Sequence, residues 1–406
     1  EESEDWHQED ILKKFKFESW KKSIQKINKI EKNIDTSSPY FRRIAFDEII
    51  SNLIILSNNR LKLKKTKKET KKIKSILSSK LIKELDFILT GSQKRVIDEI
   101  NNDLKSNKKM FRILQGDVGS GKTIVSLITA ANVIENKKQC ALMAPTEILA
   151  NQHFQLAKKF FLNTNFKIEL LTGKIKSFER KRILENLEKG KIDFLIGTHS
   201  LFQEKIFFKN LEYLIIDEQH KFGVSQRMKM SEKGGTNCDV LLMSATPIPR
   251  TMMLTNYGDM DLSRLNEKPM NRKKIITLSK PIMKINEIYS FIEKNIKDGG
   301  QVFWVCPLIE ESTKLDYMSV KKRFSKIKKD LNFRTAIIHG STDQDEKNLI
   351  LKKFLNKKID ILVSTTVIEV GIDFPNANVI IIENSEKFGL SQLHQLRGRV
   401  GRGEKQ

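Results

Sequence analysis

Cysteine is scarce in this chain. Cys140, Cys238 and Cys306 stand far apart in 406 residues. No pair has zinc-site spacing, and an odd count argues against a disulfide framework. Buried thiols in a reducing compartment are expected. Glycine and proline are also few, 19 and 8, which excludes collagen-like and low-complexity chains. No apolar run reaches the length of a membrane-spanning helix. Acid is short relative to base: 50 Asp and Glu against 74 Lys and Arg, a net charge of +24. That excess favours a polyanionic partner, nucleic acid before an anionic membrane surface. Heavy use of Lys, Ile and Asn throughout leaves a purely compositional reading open. The first residues, Glu1-Glu2-Ser3, show neither an initiator methionine nor a signal peptide. The last, Gly401 to Gln406, follow a strong motif without a closing strand. Both ends are expected to be cuts in a longer protein.

Residues 1–86 differ from the rest. They carry short helical patterns such as Trp20–Ile27, a long stretch around Phe46 to Leu56, and nine lysines with one acid, Glu69, between Lys62 and Lys80. A helical, basic connector is expected, its lysines either a solvated helix face or a nucleic-acid contact. From Leu89 short apolar strands alternate with helices. Strands are expected at Phe111–Gln115, Cys140–Ala144, Phe166–Leu171, Asp193–Ile196, Tyr213–Ile216 and Val240–Met243, with helices at Glu147–Phe161 and Phe178–Leu187. This pattern implies a parallel sheet covered on both faces. Gly258 to Lys274 is polar and aperiodic, so a boundary is placed near 265. A second alternation follows, with strands at Val302–Cys306, Ala336–Ile338, Ile359–Val363 and Val379–Ile382, and helices near Lys284–Ile296, Asp345–Phe354 and Leu390–Leu396. The reading is a connector over 1–86, one α/β lobe over 87–265 and another over 266–406, similar in architecture but with no detectable sequence repeat.

Gly116-Asp117-Val118-Gly119-Ser120-Gly121-Lys122-Thr123 fits G-x-x-x-x-G-K-T between a strand and a helix. Small residues let backbone N–H groups turn toward phosphate oxygens, and the helix adds its positive end. Lys122 is expected to reach the β and γ phosphates and Thr123 to ligate Mg²⁺. Tyr213-Leu214-Ile215-Ile216-Asp217-Glu218 runs apolar residues into two carboxylates at a strand's C-terminal end, where open α/β sheets bind ligands. Asp217 is expected to hold Mg²⁺ through water and Glu218 to accept a proton from the attacking water. Ser244-Ala245-Thr246 points small hydroxyls to the same edge and could sense the γ phosphate. His220 could bridge it to the carboxylates, or simply cap or pack. In Gln395-Leu396-Arg397-Gly398-Arg399-Val400-Gly401-Arg402, three arginines crowd into eight residues. Arg399 and Arg402 are expected to cross the interlobe cleft as arginine fingers, making hydrolysis depend on lobe closure. A basic surface loop is the plainer alternative.

These strings resemble superfamily 2 helicases. With Asp217-Glu218-Gln219-His220-Lys221-Phe222-Gly223-Val224-Ser225-Gln226-Arg227 and Ser244-Ala245-Thr246-Pro247-Ile248-Pro249-Arg250-Thr251, they resemble the RecG family of bacterial branched-DNA helicases over about 89–403. The transcription-repair coupling factor and the primosomal helicase PriA share much of the pattern. The first is usually much longer, and the second carries zinc cysteines absent here. The resemblance implies two tandem RecA-like, P-loop NTPase lobes with parallel sheets, preceded by a mostly helical connector whose best string is Phe41–Glu48. It implies an adenine element at Leu89–Gln93, with Gln93 reading the base and Phe87 packing nearby. It implies strand contacts at Pro145-Thr146-Glu147, Gly173-Lys174, Gly197-Thr198-His199 and His339-Gly340. In Thr365–Asp373, Gly371 would permit a tight approach and Asp373 would orient an arginine, with Gln395 joining the arginines at the site. Hydroxyls and amides at strand ends can hold phosphates without reading bases.

The implied activity is an ATP- and Mg²⁺-dependent DNA helicase of 3'-5' type. It would couple hydrolysis to branch migration at forks and Holliday junctions, in recombination and repair. Implied partners are branched DNA and a single-stranded-DNA-binding protein; a cytoplasmic bacterial monomer is expected. Two elements expected of the family lie outside these residues: an oligonucleotide-binding-fold wedge before the connector and a helical hairpin after the motor. The alternatives are a related duplex-DNA translocase, an RNA helicase or a non-catalytic binding module. The last would need damage at Lys122, Asp217, Glu218 or the arginines, and none is seen.

Overall fold

The structure is a computed structural model, and it describes residues 5–28, 36–65, 67–173, 175–203, 205–218, 235–245, 260–267, 275–307, 313–365 and 376–400. The chain forms two compact units. One holds Glu1–Thr66 and Ile248–Asp261, the other Lys67–Pro247 and Leu262–Gln406. Among the described residues, no helix is long and apolar enough to cross a membrane.

The smaller unit contains α1 (Glu9–Phe15), α2 (Trp20–Ile27) and α3 (Pro39–Lys65). Its centre is a charged knot. Arg43 is fully buried. Its Nε donates to Asp47 Oδ2 at 3.0 Å and its Nη2 to Asp5 Oδ1 at 2.6 Å. His7 Nε2 donates to the other Asp47 oxygen at 2.7 Å. Phe15, Phe17 and Phe46 pack their rings together. A buried guanidinium needs this degree of pairing to be tolerated. The string Phe41–Glu48 is thus the structural heart of this unit.

The larger unit begins with α4 (Ile76–Lys83) and α5 (Gly91–Lys105). Then come β1 (Phe111–Gly116), α6 (Lys122–Ile134), β2 (Gln139–Met143), α7 (Glu147–Phe160), β3 (Ile168–Leu171), α8 (Ser177–Glu188), β4 (Phe194–Gly197), β5 (Leu211–Ile216), β6 (Asp239–Ser244) and β7 (Asp261–Leu265). These strands form one sheet in the order β3-β4-β2-β5-β6-β1-β7. The pairs β1/β6, β6/β5, β5/β2, β2/β4 and β4/β3 are parallel. Strands β2, β4, β5 and β6 are buried throughout. Helices on both faces explain why they read as unbroken apolar runs.

A second sheet follows, with α9 (Ile285–Lys297), β8 (Gln301–Val305), α10 (Thr313–Asp330), β9 (Thr335–Ile338), α11 (Gln344–Leu355), β10 (Ile361–Ser364), β11 (Ala377–Ile382) and α12 (Leu390–Arg397). Its order is β11-β8-β10-β9, parallel throughout. This repeats β5-β2-β4-β3 of the first sheet, down to single hydrogen bonds. Gln139 Nε2 donates to the carbonyls of Leu187 and Ile192, and Gln301 Nε2 to those of Phe354 and Ile359. Asp193 accepts from the Lys167 amide, Asp360 from the Arg334 amide. The Asp217 amide donates to Met143 O and the Glu383 amide to Val305 O. The lobes are two copies of one βαβ plan.

Three elements lie outside the sequence expectation, the first being the helix Gly91–Lys105. Asp261–Leu265 is an edge strand beside β1 in a stretch that reads as aperiodic and polar. Thr313–Asp330 is an 18-residue helix. Within the lysine run, Lys67, Lys72, Lys74 and Lys80 are exposed, and two lysines fit neither reading. Lys68 and Lys71 are buried under the first sheet. Lys68 Nζ meets both Asp239 oxygens at 2.6 and 2.7 Å, and Lys71 Nζ meets Asp239 Oδ2 at 2.5 Å. Lys71 also donates to the carbonyls of Glu212 and Asn237. Asp239 further accepts from the Met110 amide at 2.7 Å. These two lysines are structural ties, and Ile73 and Leu81 just beyond them join the core of the first sheet.

Candidate active site and strand groove

The loop after β1 turns on two glycines with positive φ, Gly119 at 79° and Gly121 at 90°. Only glycine adopts such angles without strain. A Cβ on Gly121 would also run into Gln93 Nε2. Gln93 is nearly buried and serves two elements. It closes a capping box with Thr90 at the start of α5, and its Nε2 donates to Ser120 O at 2.8 Å. Lys122 Nζ lies in the mouth of the loop, donating to the carbonyls of Gly116 (2.7 Å) and Asp117 (3.1 Å). The loop thus has the backbone curvature, the cation and the helix start that a triphosphate requires. Phe87, 39% exposed, stands four residues before α5.

Asp217 and Glu218 leave the end of β5, each only 7% exposed. His153 of α7 donates from Nε2 to Asp217 Oδ2 at 2.8 Å, while Oδ1 accepts the Glu218 amide at 3.0 Å. Burial alone would raise the Asp217 carboxyl. The His153 hydrogen bond and the charges of His153 and Lys122 outweigh it and hold the group below the usual carboxylate range. Glu218 moves the other way. Burial and the neighbouring Asp217 charge raise it, against Lys122 and Arg399. Glu218 sits at a positive φ of 48°, and its carboxylate accepts the Ala245 amide. The pair is split into a firm anion, suited to a metal, and a proton acceptor of higher affinity. Thr123, second residue of α6, and Asp217 could hold Mg²⁺ there.

The second lobe reaches this pair. Arg399 is 3% exposed. Burial pulls its guanidinium below the usual value, while Glu218 and then Asp217 oppose the fall. It remains a cation under any ordinary condition. One turn earlier, His394 Nε2 donates to Asp117 Oδ1 of the phosphate loop at 3.3 Å. A Cβ on Gly398 would stand 2.7 Å from Val118 Cβ. Gln395 is buried in the same stretch.

A groove of about 920 Å³ opens beside the site in the first lobe. Pro145, Thr146, Glu147, Gly173, Thr198 and His199 line it, so three separate strand-contact strings share one wall. Helix α8 contributes both signs of charge to its lining, Arg180 and Lys181 with Glu185 and Glu188.

Residues 90–254 match the family described as DEAD/DEAH box helicase, and 283–404 the helicase conserved C-terminal domain. The ATP-dependent DNA helicase RecG of Thermotoga maritima is 46% identical over 363 residues, 89% of this chain and 46% of that protein. The RecG of Bacillus subtilis is 46% identical over 329 residues, 80% of this chain and 48% of that protein. A solved structure of RecG bound to a three-way DNA junction superposes with a TM-score of 0.83 at 40% identity, covering 99% of this chain and 53% of that one. The chain belongs to the RecG family. It spans about half the length of the relatives it matches. The DEAD-box helicase Mss116, bound to single-stranded RNA, superposes with a TM-score of 0.59 at 22% identity, a likeness of fold.

Of the residues expected at the site, Gln93 bonds the phosphate loop at Ser120, and Lys122 and Arg399 lie within electrostatic reach of Glu218; Gln395 is buried about one turn before Arg399. In the second lobe the Thr365 amide donates to Ile338 O, which brings the ends of β9 and β10, and with them His339 and Thr365, side by side. Lys174, His220, Thr246, Gly371, Asp373 and Arg402 lie outside the described residues. Two histidines at the site are not singled out by the sequence: His394, which meets Asp117 of the phosphate loop, and His153, which touches Asp217. The only signal for His153 was a lone histidine two turns behind Pro145-Thr146-Glu147.

Proposed function

We propose that this chain is the ATP-driven motor of a RecG-type helicase, acting on forks and Holliday junctions in recombination and repair. The observation that carries the reading is Arg399, a second-lobe cation buried within electrostatic reach of the first-lobe pair Asp217 and Glu218. A cation so placed stabilises charge developing on a transferred phosphoryl group only while the lobes are together. Lys122 and the loop amides would bind the β and γ phosphates of ATP. Thr123 and Asp217 would hold Mg²⁺, which supplies charge neutralisation at the phosphate oxygens. Glu218, with its raised proton affinity, would orient and deprotonate the attacking water. Phe87 would stack on adenine, and Gln93 would read its edge while fixing the loop through Ser120. The groove at Thr146, Gly173 and Thr198 would hold one strand by its backbone, as a motor indifferent to sequence must. In the regions outside the described residues, Gly371 and Asp373 would join the nucleotide site and Arg402 would assist Arg399.

Branched DNA is favoured over RNA by the junction-bound relative and by the identity to RecG proteins. The test is ATP turnover by the full-length protein with forked DNA, plain duplex and RNA. Strongest stimulation by the fork is expected. Strongest stimulation by RNA would replace the substrate, and no nucleic-acid stimulation would end the motor reading.

A further inference from the structure

The helix α7 joins two places that a motor has to keep in step. Its N-cap Thr146, whose side chain accepts the Leu149 amide at 3.3 Å, lines the strand groove together with Glu147. Two turns on, about 10 Å along a rigid rod, His153 is buried and grips Asp217 at 2.8 Å. The helix packs along Leu149, Ala150, His153 and Ala157, one continuous buried stripe. Both ends also share a strand. The Asp217 amide donates to Met143 O at the end of β2, and β2 leads through Ala144 and Pro145 into α7. Glu147 abuts Gly173 across the groove, its Oε1 3.3 Å from the position of a Cβ there. A backbone phosphate held by the Thr146 hydroxyl and the first amides of α7, clear of the Glu147 carboxylate, would therefore sit at one end of a helix whose buried side holds a carboxylate of the nucleotide site.

We propose that His153 is a positioning residue that couples the strand groove at Thr146 and Glu147 to the carboxylate of Asp217. The inference rests on the motor reading above and adds the element through which a bound strand reaches the hydrolytic site. The Asp217 carboxylate accepts, so the His153 Nε2 proton is the one that matters. Loss of that donor frees the carboxylate to rotate away from the metal-binding orientation, whatever the strand does at the groove.

The test uses the full-length protein and three variants, His153→Ala, His153→Gln and His153→Asn. Glutamine can place its N–H where Nε2 stands, and asparagine is too short to do so. Two quantities are read: affinity for labelled forked DNA with and without a non-hydrolysable ATP analogue and Mg²⁺, and turnover with and without the fork. In the wild type the analogue should shift DNA affinity by a factor in the range of about 5 to 150 typical of coupled sites. His153→Ala and His153→Asn should reduce that factor toward one and remove fork stimulation, with DNA affinity in the absence of nucleotide unchanged. His153→Gln should keep both. If the alanine variant fails to fold, the glutamine–asparagine contrast carries the decision. Equal coupling in the asparagine, glutamine and wild-type proteins overturns the role of His153 and leaves the motor intact. Absence of fork stimulation in the wild type overturns the motor reading itself, and the inference with it.

Discussion

Gly398 offers the sharpest test of the contact between the lobes. It ends α12 with φ −68° and ψ −11°, angles any residue adopts. Within its own lobe an alanine Cβ there would meet Gln395 O at 3.3 Å, a small crowding, against which fewer unfolded conformations would favour it by about 0.4–1 kcal/mol. The larger obstacle comes from the other lobe. The added Cβ would lie 2.7 Å from Val118 Cβ and 2.9 Å from Val118 Cγ2. Ordinary carbon contacts begin near 3.5 Å. Val118 cannot swing its Cβ aside, because it is set by the phosphate-loop backbone and branches at that atom. Overpacking of this kind costs about 1–3 kcal/mol. Here the cost falls on the arrangement that brings Arg399 to Glu218, and not on the folding of either lobe. Gly398→Ala should therefore lower fork-stimulated phosphate release by about 5- to 150-fold, with ADP affinity unchanged and the thermal midpoint unchanged or slightly higher. Val118→Gly in the same chain should return part of the loss, a coupling visible in a double-mutant cycle. Wild-type stimulated turnover in Gly398→Ala would refute the reasoning, since two atoms cannot share that space in a closed motor.

Arg399→Ala should keep ATP binding and reduce stimulated hydrolysis by about 10³-fold or more, and unchanged stimulation would remove its role. Lys122→Ala should abolish turnover while far-ultraviolet circular dichroism stays native; turnover at the wild-type rate would displace the nucleotide site. Asp239→Ala leaves Lys68 buried without its carboxylate and Lys71 with only that of Glu212, at 3.6 Å, and loss of a buried partner costs about 3–5 kcal/mol. A urea midpoint unchanged from wild type would mean these ties are idle. Asp5 tests the smaller unit through pH. Burial raises its carboxyl, but the Arg43 hydrogen bond and the Trp20 and His7 amides prevail and hold it below its ordinary 3.8. A depressed acid stabilises the fold above its unfolded value, and that stability is lost as pH falls through the folded one. Amide protection in α3 should thus fall on acidification below 3.8, and Asp5→Asn should flatten the dependence. Identical pH profiles would contradict it.

The sequence could disclose the hydrolytic site because its chemistry is packed into short strings. A phosphate loop must place glycines and a lysine within eight residues, and a metal carboxylate must end an apolar strand. Both constraints are local, so they survive reading without a structure. What hid was non-local. His153 reaches Asp217 across 64 residues, and Lys68 reaches Asp239 across 171. In sequence, one is an unremarked histidine and the other a lysine among lysines. Charge runs say how much charge a segment holds, but whether a carboxylate waits beneath it is decided by the fold. β7 was missed for a related reason. An edge strand buried on alternate residues, as in Asp261–Leu265, looks polar beside the fully buried strands around it.

The similar architecture of the lobes is expected from the sequence, and a short repeat accompanies it. Lys191-Ile192-Asp193-Phe194-Leu195-Ile196-Gly197-Thr198 and Lys358-Ile359-Asp360-Ile361-Leu362-Val363-Ser364-Thr365 agree at five of eight positions. The structure explains which letters had to stay. Ile192 and Ile359 present the carbonyls that Gln139 and Gln301 tie down. Asp193 and Asp360 accept the amide that opens the neighbouring strand. The strand interiors between are interchangeable apolar residues, and their drift is what masks the repeat. The last letter bears on function. Thr198 lines the strand groove of the first lobe, and the register of the repeat assigns Thr365 the same station at the end of β10 in the second. On the motor reading proposed above, matching hydroxyls at the ends of β4 and β10 would let one lobe hold a strand by its backbone while the other releases it, without recognising a base.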